Sequence, residues 1–268
     1  MLSTSAIIAL LSILPLRPDG HEVEVVAHRG ANRIAPENTM AAARMCHQLG
    51  LDWVEVDVRM SRDGVFYVFH DELLSRTTGR LGLFRVTDSK TIDTLDAGSW
   101  FGDHYAGEPV PKLREILEWA RGRIRIYLDL KHVDVARLVE LLDETEMRED
   151  VFAWSGNSGY MRSLREIAPD IKLKCNVRSR DAFDQVKETF DPEIVEVGTS
   201  ALSKELIAHV QSHGVKVMMY TKAPDADAFR KAIQLGADMV NIDHPRLYIW
   251  VERSLQDASD TGEAHGPE

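Results

Sequence analysis

Glu55 and Asp57 stand two residues apart in residues 53–60 (WVEVDVRM), a run that alternates by period two. Residues i and i+2 of a strand share a face, so both carboxylates point the same way. Asp129, near the end of a second apolar run at 124–130, would add a third carboxylate from a neighbouring strand. Buried carboxylates are costly unless paired, and three converging on one point repel one another unless a cation holds them. Oxygen-only ligation selects Ca2+ or Mg2+ over zinc. The alternative is a set of solvated acids, or an ion pair with Arg59 or Lys131. The pattern alone leaves both open.

Two histidines close strand-like runs: His28 after residues 23–27 (VEVVA) and His70 after residues 65–69 (VFYVF). A lone histidine is more often packed or solvated than catalytic. Two of them at strand ends on one face suit a reaction that must both take and give a proton. Arg29 and Lys131 add fixed positive charge, and the guanidinium fork matches phosphate oxygens in a bidentate way. Arg29 and Lys131 are equally able to form structural ion pairs with Glu37 or Asp129, and the two roles are compatible.

The elements that must position these groups alternate. Strands are expected at 23–27, 53–60, 124–130, 151–154, 171–177, 194–197, 215–220 and 239–242. Helices are expected at 38–49, 113–121, 135–144, 159–167, 181–189, 204–213, 225–235 and 247–255. Eight β/α units in roughly 235 residues imply a closed (β/α)8 TIM barrel. Its strands bring their C-terminal ends to one face, where Tyr220 and Asp243 also fall. The run at 65–69 is extra, paired to its predecessor through Asp63-Gly64 as a hairpin, so a small insertion follows the second strand. Residues 71–110 read as a long loop, either an insertion or a lid. An open doubly wound sheet is the weaker alternative, because His28-Arg29-Gly30 lacks the G-x-G-x-x-G fingerprint.

The chain has 43 acidic against 32 basic residues, a formal net charge of −11. That surface repels nucleic acid, and an anionic substrate would need a local cationic site. Cys46 and Cys175 form no CxxC pair and read as buried thiols. Residues 6–14 (AIIALLSIL) are too short to span a bilayer. They have the length of a signal-peptide core but lack preceding basic residues and an A-x-A site. Residues 1–20 are therefore expected to be a signal peptide or apolar extension, giving an exported protein, with a cytoplasmic one as the alternative. The barrel domain is expected over 23–256 and a disordered tail over 257–268.

Taken in order, His28-Arg29-Gly30, Pro36-Glu37-Asn38-Thr39, Glu55-Val56-Asp57, Asp63-Gly64, His70-Asp71 and Arg76-Thr77-Thr78-Gly79 resemble the glycerophosphodiester phosphodiesterase family. Pro111-x-Leu113, Asp129-Leu130-Lys131 and Asp243-x-Pro245 extend the resemblance over almost the whole barrel. It implies hydrolysis of a small-molecule glycerophosphodiester to glycerol phosphate and an alcohol, with one divalent cation, Ca2+ or Mg2+. It implies Glu55, Asp57 and Asp129 as metal ligands and His28 and His70 as the catalytic pair. Arg29 and Lys131 would hold the phosphate, Glu37, Asn38 and Asp71 would support the site, and Tyr220 would line the leaving-group pocket. The chain departs from the family in three places. Asp129 stands where glutamate is common, Tyr220-Thr221 where Trp-Thr is usual, and Ile242 where threonine is usual. A lysophospholipase D-like phosphodiesterase on the same barrel is the nearer alternative, and a catalytically silent binding protein the farther one.

Overall fold

The computed structural model describes residues 23–260. In chain order the first half comprises β1 (Glu24–Ala27), α1 (Met40–Gln48), β2 (Trp53–Met60), β3 (Phe66–Val68), α2 (Ser75–Thr78), α3 (Ser89–Ile92), α4 (Leu113–Ala120), β4 (Arg125–His132) and α5 (Val135–Glu144). Then come β5 (Val151–Trp154), α6 (Ser158–Ile167), β6 (Lys172–Asn176), α7 (Arg180–Phe190), β7 (Ile194–Gly198) and α8 (Lys204–Gln211). The chain closes with β8 (Lys216–Thr221), α9 (Ala226–Leu235), β9 (Met239–Ile242) and α10 (Pro245–Asp260). Eight parallel strands run β1-β9-β8-β7-β6-β5-β4-β2, and β1 pairs with β2 to close the ring. β3 pairs antiparallel with Val58, Arg59 and Met60, the last residues of β2. The architecture is the (β/α)8 barrel with its insertion after the second strand.

Side-chain alternation sorts each strand into two cores. Outward residues such as Val25, Val54, Leu128 and Val217 pack under the helices. Inward residues Val26, Trp53, Tyr127, Phe152, Ile194, Met218 and Met239 form a separate apolar plug inside the ring. Tyr127 and Phe152 stack with centroids 4.4 Å apart, and Phe152→Ala would cost about 3–5 kcal/mol through the cavity left behind. Helices start where small polar side chains cap them: Asp134, Ser179, Ser203 and Asp225 each accept from a first-turn N–H. α9 stops at Gly236, whose φ of 81° favours a residue without Cβ.

One expectation is sharpened and two need revision. Residues 71–110 are an insertion with structure of its own rather than a bare loop, since they contain α2, α3 and two 3-10 turns. Tyr67, Phe69, Leu74, Phe84, Ile92, Leu95, Ala97 and Val110 give them a small core of their own, built from apolar residues too irregularly spaced to show a period. The helix expected from Asn38 starts at Met40, because Thr39 is its N-cap. The tail expected from Asp257 is helical as far as Asp260. Tyr248 and Val251 anchor α10, Leu255 still packs on the core, and the polar turns beyond continue the helix through Asp260. The apolar segment at 1–20 and the end of the chain lie outside the described residues. Cys46 and Cys175 are buried free thiols. Among the described residues no helix is long and apolar enough to cross a membrane.

Candidate active site

β1 ends at Ala27 and the chain turns at once. Arg29 and Gly30 both take left-handed backbone, with φ of 56° and 75°. A Cβ on Gly30 would come within 2.7 Å of the Ala42 Cβ, so glycine lets the turn lie against α1. The same conformation costs a side-chain-bearing residue roughly 1–2 kcal/mol. At Arg29 the backbone N–H donates to the Glu55 carboxylate, which aims that acid and offsets the cost.

Glu55 and Asp57 point into the barrel from β2. Asp129 pairs in register with Asp57 from β4. One oxygen from each of the three lies within 4.8 Å of the others, and all three residues are buried. Asn38 fixes Asp57 twice: its Nδ2 donates to Asp57 Oδ2 at 2.7 Å and its Oδ1 accepts from the Asp57 N–H at 3.1 Å. Lys131 Nζ stands 2.7 Å from Asp129 Oδ2 and 3.0 Å from Asp57 Oδ1. Arg59, a candidate partner by sequence, turns away and donates to the His70 carbonyl.

These charges are not balanced. Burial, then the charges of Asp57 and Asp129, push Glu55 well above the carboxylate range. Burial and Asp57 push Asp129 up as well. Asp57 moves the other way: burial acts against it, but Lys131, His70 and Arg29 outweigh that with their positive fields. Asp129 Oδ1 is buried and has no hydrogen-bond partner among the described residues. An all-oxygen cluster with an orphaned carboxylate oxygen fits a hard divalent cation.

The histidines are oriented by carboxylates. His28 Nδ1 lies 2.7 Å from Asp243 Oδ1, and His70 Nδ1 lies 2.6 Å from Asp71 Oδ1. A carboxylate only accepts, so Nδ1 carries the hydrogen and Nε2 is left for a ligand. Arg29 Nη1 donates to Glu37 Oε1 at 3.0 Å. Arg76 bridges Glu37, at 2.6 and 2.9 Å, and Asp71, at 2.6 and 3.2 Å. The chain His70–Asp71–Arg76–Glu37–Arg29 is therefore continuous. Glu37 faces these two arginines and reaches the carboxylate cluster only through Arg29, whose Nε lies 3.6 Å from Asp57 Oδ2.

His28, Arg29, Glu55, His70, Asp129, Lys131 and Tyr220 line one cavity of about 220 Å³ at the C-terminal mouth of the barrel. Asp57, Glu37, Asn38 and Asp71 stand behind that lining and hold it. Tyr220 meets the His28 ring edge-on at 5.6 Å.

Residues 28–247 match the model of the glycerophosphoryl diester phosphodiesterase family. The chain belongs to that family. A glycerophosphodiester phosphodiesterase of Caldanaerobacter subterraneus is 29% identical over 84% of this chain and 96% of its own. The crystal structure of a glycerophosphodiester phosphodiesterase from Agrobacterium tumefaciens is 36% identical, with a TM-score of 0.79, over 84% of this chain and 98% of its own. An Oleispira antarctica phosphodiesterase, solved in complex with the product sn-glycerol-3-phosphate, is 32% identical with a TM-score of 0.78 over 85% and 96%. The barrel fold of these solved structures agrees with what is seen here.

Sequence reasoning left several residues of this phosphodiesterase-family site without a role. Asp243 falls at a strand end but is 215 positions from His28, and no local spacing links them. Arg76 is visible as part of Arg-Thr-Thr-Gly, yet its bridge joins an insertion helix to the first barrel turn. The far wall of the cavity, Trp154, Lys174, Asn176, Glu196 and Asn241, was not foreseen. Inward parity on β6 and β7, read after the barrel is inferred, would have flagged Lys174 and Glu196.

Proposed function

We propose that the protein hydrolyses glycerophosphodiesters to glycerol phosphate and an alcohol, with one divalent cation held by Glu55, Asp57 and Asp129. The observation that carries this reading is the pairing of two carboxylate-oriented histidines with a buried acid cluster around one cavity. Family membership and the activity named for its relatives support the substrate class. When bound, the cation, Ca2+ or Mg2+, would relieve the repulsion among the acids and polarise the phosphoryl oxygens.

The chain's own residues do the rest. The Arg29 guanidinium and Lys131 ammonium draw the phosphate to the cavity and stabilise charge gathering on its oxygens. A neighbouring glycerol hydroxyl or a water attacks phosphorus. Nε2 of one histidine, neutral, accepts the attacking proton, and the other histidine, an imidazolium protonated at both nitrogens, donates its Nε2 proton to the departing alkoxide as the P–O bond breaks. Asp243 and Asp71 hold each ring in the required tautomer.

Leu73, Leu81, Val86 and Trp100 expose apolar side chains on the insertion, which favours a lysophospholipid as the second reading. Purified protein assayed on glycerophosphocholine and lysophosphatidylcholine, with EDTA and then with Ca2+ or Mg2+ restored, tests both. Faster turnover of the glycerophosphodiester, lost in EDTA and regained with a cation, is expected. Cleavage of lysophosphatidylcholine alone would replace the first reading with the second. The absence of any cleavage under all conditions would leave a binding protein. Export remains our proposal for location, resting on residues 6–14. N-terminal sequencing of protein from its native host should give a start near residues 19–22, whereas an intact Met1 in a cytoplasmic fraction would contradict it.

A further inference from the structure

The wall of the cavity facing the acids is built from β5 to β9, and its polarity is of another kind. Lys174 is 1% exposed, which is unusual for a lysine. Its Nζ donates to Asn176 Oδ1 at 2.7 Å and Glu196 Oε1 at 3.0 Å, and lies 4.3 Å from the Trp154 ring centre. Asn241 Nδ2 donates to Glu196 Oε2 at 3.0 Å. A carboxylate has no hydrogen to give, so the amide nitrogen must face Glu196 and the amide oxygen must face away. Asn241 is 2% exposed and its Oδ1 has no hydrogen-bond partner among the described residues. Lys174, Asn176, Asn241 and Tyr220 all line the same cavity.

We propose that Lys174, Asn176, Glu196, Asn241 and Tyr220 form a subsite for a neutral polyhydroxyl arm of the phosphodiester. This rests on the hydrolase reading above and extends it to the choice of substrate. Lys174 and Glu196 cancel in charge, and the one further charge on this wall, Lys222 beside Tyr220, is positive, so the wall has no pull on a cation. A hydroxyl both donates and accepts, and the wall offers both complements. Asn241 Oδ1 is a buried acceptor awaiting a donor, while the Asn176 amide and Tyr220 hydroxyl donate. A buried unpaired amide oxygen is costly, and a ligand hydroxyl removes that cost. A quaternary ammonium fits poorly. The aromatic face that would receive it, Trp154, is taken by the Lys174 ammonium. The arm is either the glycerol of the glycerol phosphate half or a polyol leaving group.

Two comparisons on the full chain separate these sources. Calorimetry gives the affinity of sn-glycerol 3-phosphate relative to inorganic phosphate. Kinetics gives kcat/KM for glycerophosphoglycerol relative to glycerophosphocholine. The variants are Asn241→Ala and the double change Lys174→Met/Glu196→Gln, which removes both charges together so that neither is buried alone. Each hydrogen bond lost should reduce the relevant preference about 2- to 10-fold. A reduced affinity ratio assigns the subsite to the glycerol phosphate half, and a reduced kcat/KM ratio assigns it to the leaving group. If the double variant does not fold, Asn241→Ala decides. Both ratios at parental values in a folded variant would overturn the subsite. A parent that cleaves neither diester would overturn the hydrolase reading instead, while the affinity ratio would still judge the subsite.

Discussion

The barrel encloses two clusters of charge, one at each end, built from the same residue types with the same inward parity. At the N-terminal end Glu24 accepts from Trp53 Nε1 and Lys216 Nζ, each at 2.6 Å, and lies 3.3 Å from Arg125 Nη2. Arg125 also faces Asp52 and covers the Trp53 ring at 4.2 Å. Glu24 falls below the usual carboxylate range, because these partners outweigh its burial. At the C-terminal end Asp57 and Asp129 share Lys131, Asp57 also faces Arg29, Glu55 is pushed well up, and Asp129 keeps an oxygen with no hydrogen-bond partner among the described residues. One cluster is paired throughout and closes the barrel. The other keeps unbalanced charge, which the proposed cation would neutralise. The difference teaches that inward charge in this fold marks function only where the protein leaves its pairing unfinished.

Variants at each end can break that contrast. The largest effect is expected from the histidines. His28→Ala and His70→Ala should each lower kcat about 10²- to 10⁴-fold while the fold persists. Both groups serve one proton-transfer sequence, so the double variant should lose far less than the product of the two. Additive losses measured by steady-state kinetics would mean that the two rings act independently.

Next comes Asp243→Asn. It keeps the volume but removes the charge and turns one of the two accepting oxygens, which face His28 and Arg33, into an NH2 donor, so the His28 ring loses its carboxylate partner and kcat should fall on the order of 10²-fold. An unchanged kcat with the same substrate would leave Asp243 as packing beneath the turn. Tyr220→Trp restores the residue usual in the family. It should alter the ranking among glycerophosphodiesters more than the rate on any one of them. Loss of turnover on every substrate, in a variant with native circular dichroism, would draw Tyr220 into the chemistry.

The smallest effect belongs to the opposite end. Glu24→Gln weakens partly exposed ion pairs worth about 1 kcal/mol together, which corresponds to roughly 2–4 °C in Tm for a barrel of this size. Its kcat should match the parent's. A Glu24→Gln enzyme with normal Tm and impaired kcat would erase the distinction between the two ends.

Much of this was legible in the sequence because it depends on short spacing. The i, i+2 parity of Glu55 and Asp57 fixed their common direction, and eight strand–helix alternations fixed the ring. The Asp63-Gly64 hairpin located the insertion. What escaped depends on contacts between distant strands or on irregular packing. Lys172 and Lys174 have the same spacing, yet Lys172 is exposed and Lys174 is buried. Alternation cannot tell which end of a barrel strand each will occupy. The core of the insertion likewise has no period, since Leu74, Phe84, Ile92 and Val110 meet only through turns. Arg76 is visible only as part of Arg-Thr-Thr-Gly, and its ion pairs with Glu37 and Asp71 emerge once α2 is laid against the first barrel turn.

In the proposed function the unfinished acid cluster binds a divalent cation that the reaction needs, and the histidines act separately from it. The most direct measurement is kcat on glycerophosphocholine across a Ca2+ and Mg2+ titration from an EDTA-treated start, for the parent, Glu55→Ala and His70→Ala. The parent should be inactive without cation and saturate on its return. Glu55→Ala should regain part of its activity at higher cation concentration, and His70→Ala should stay slow at every concentration. Full parental activity in EDTA, or recovery of His70→Ala by added cation, would contradict the account.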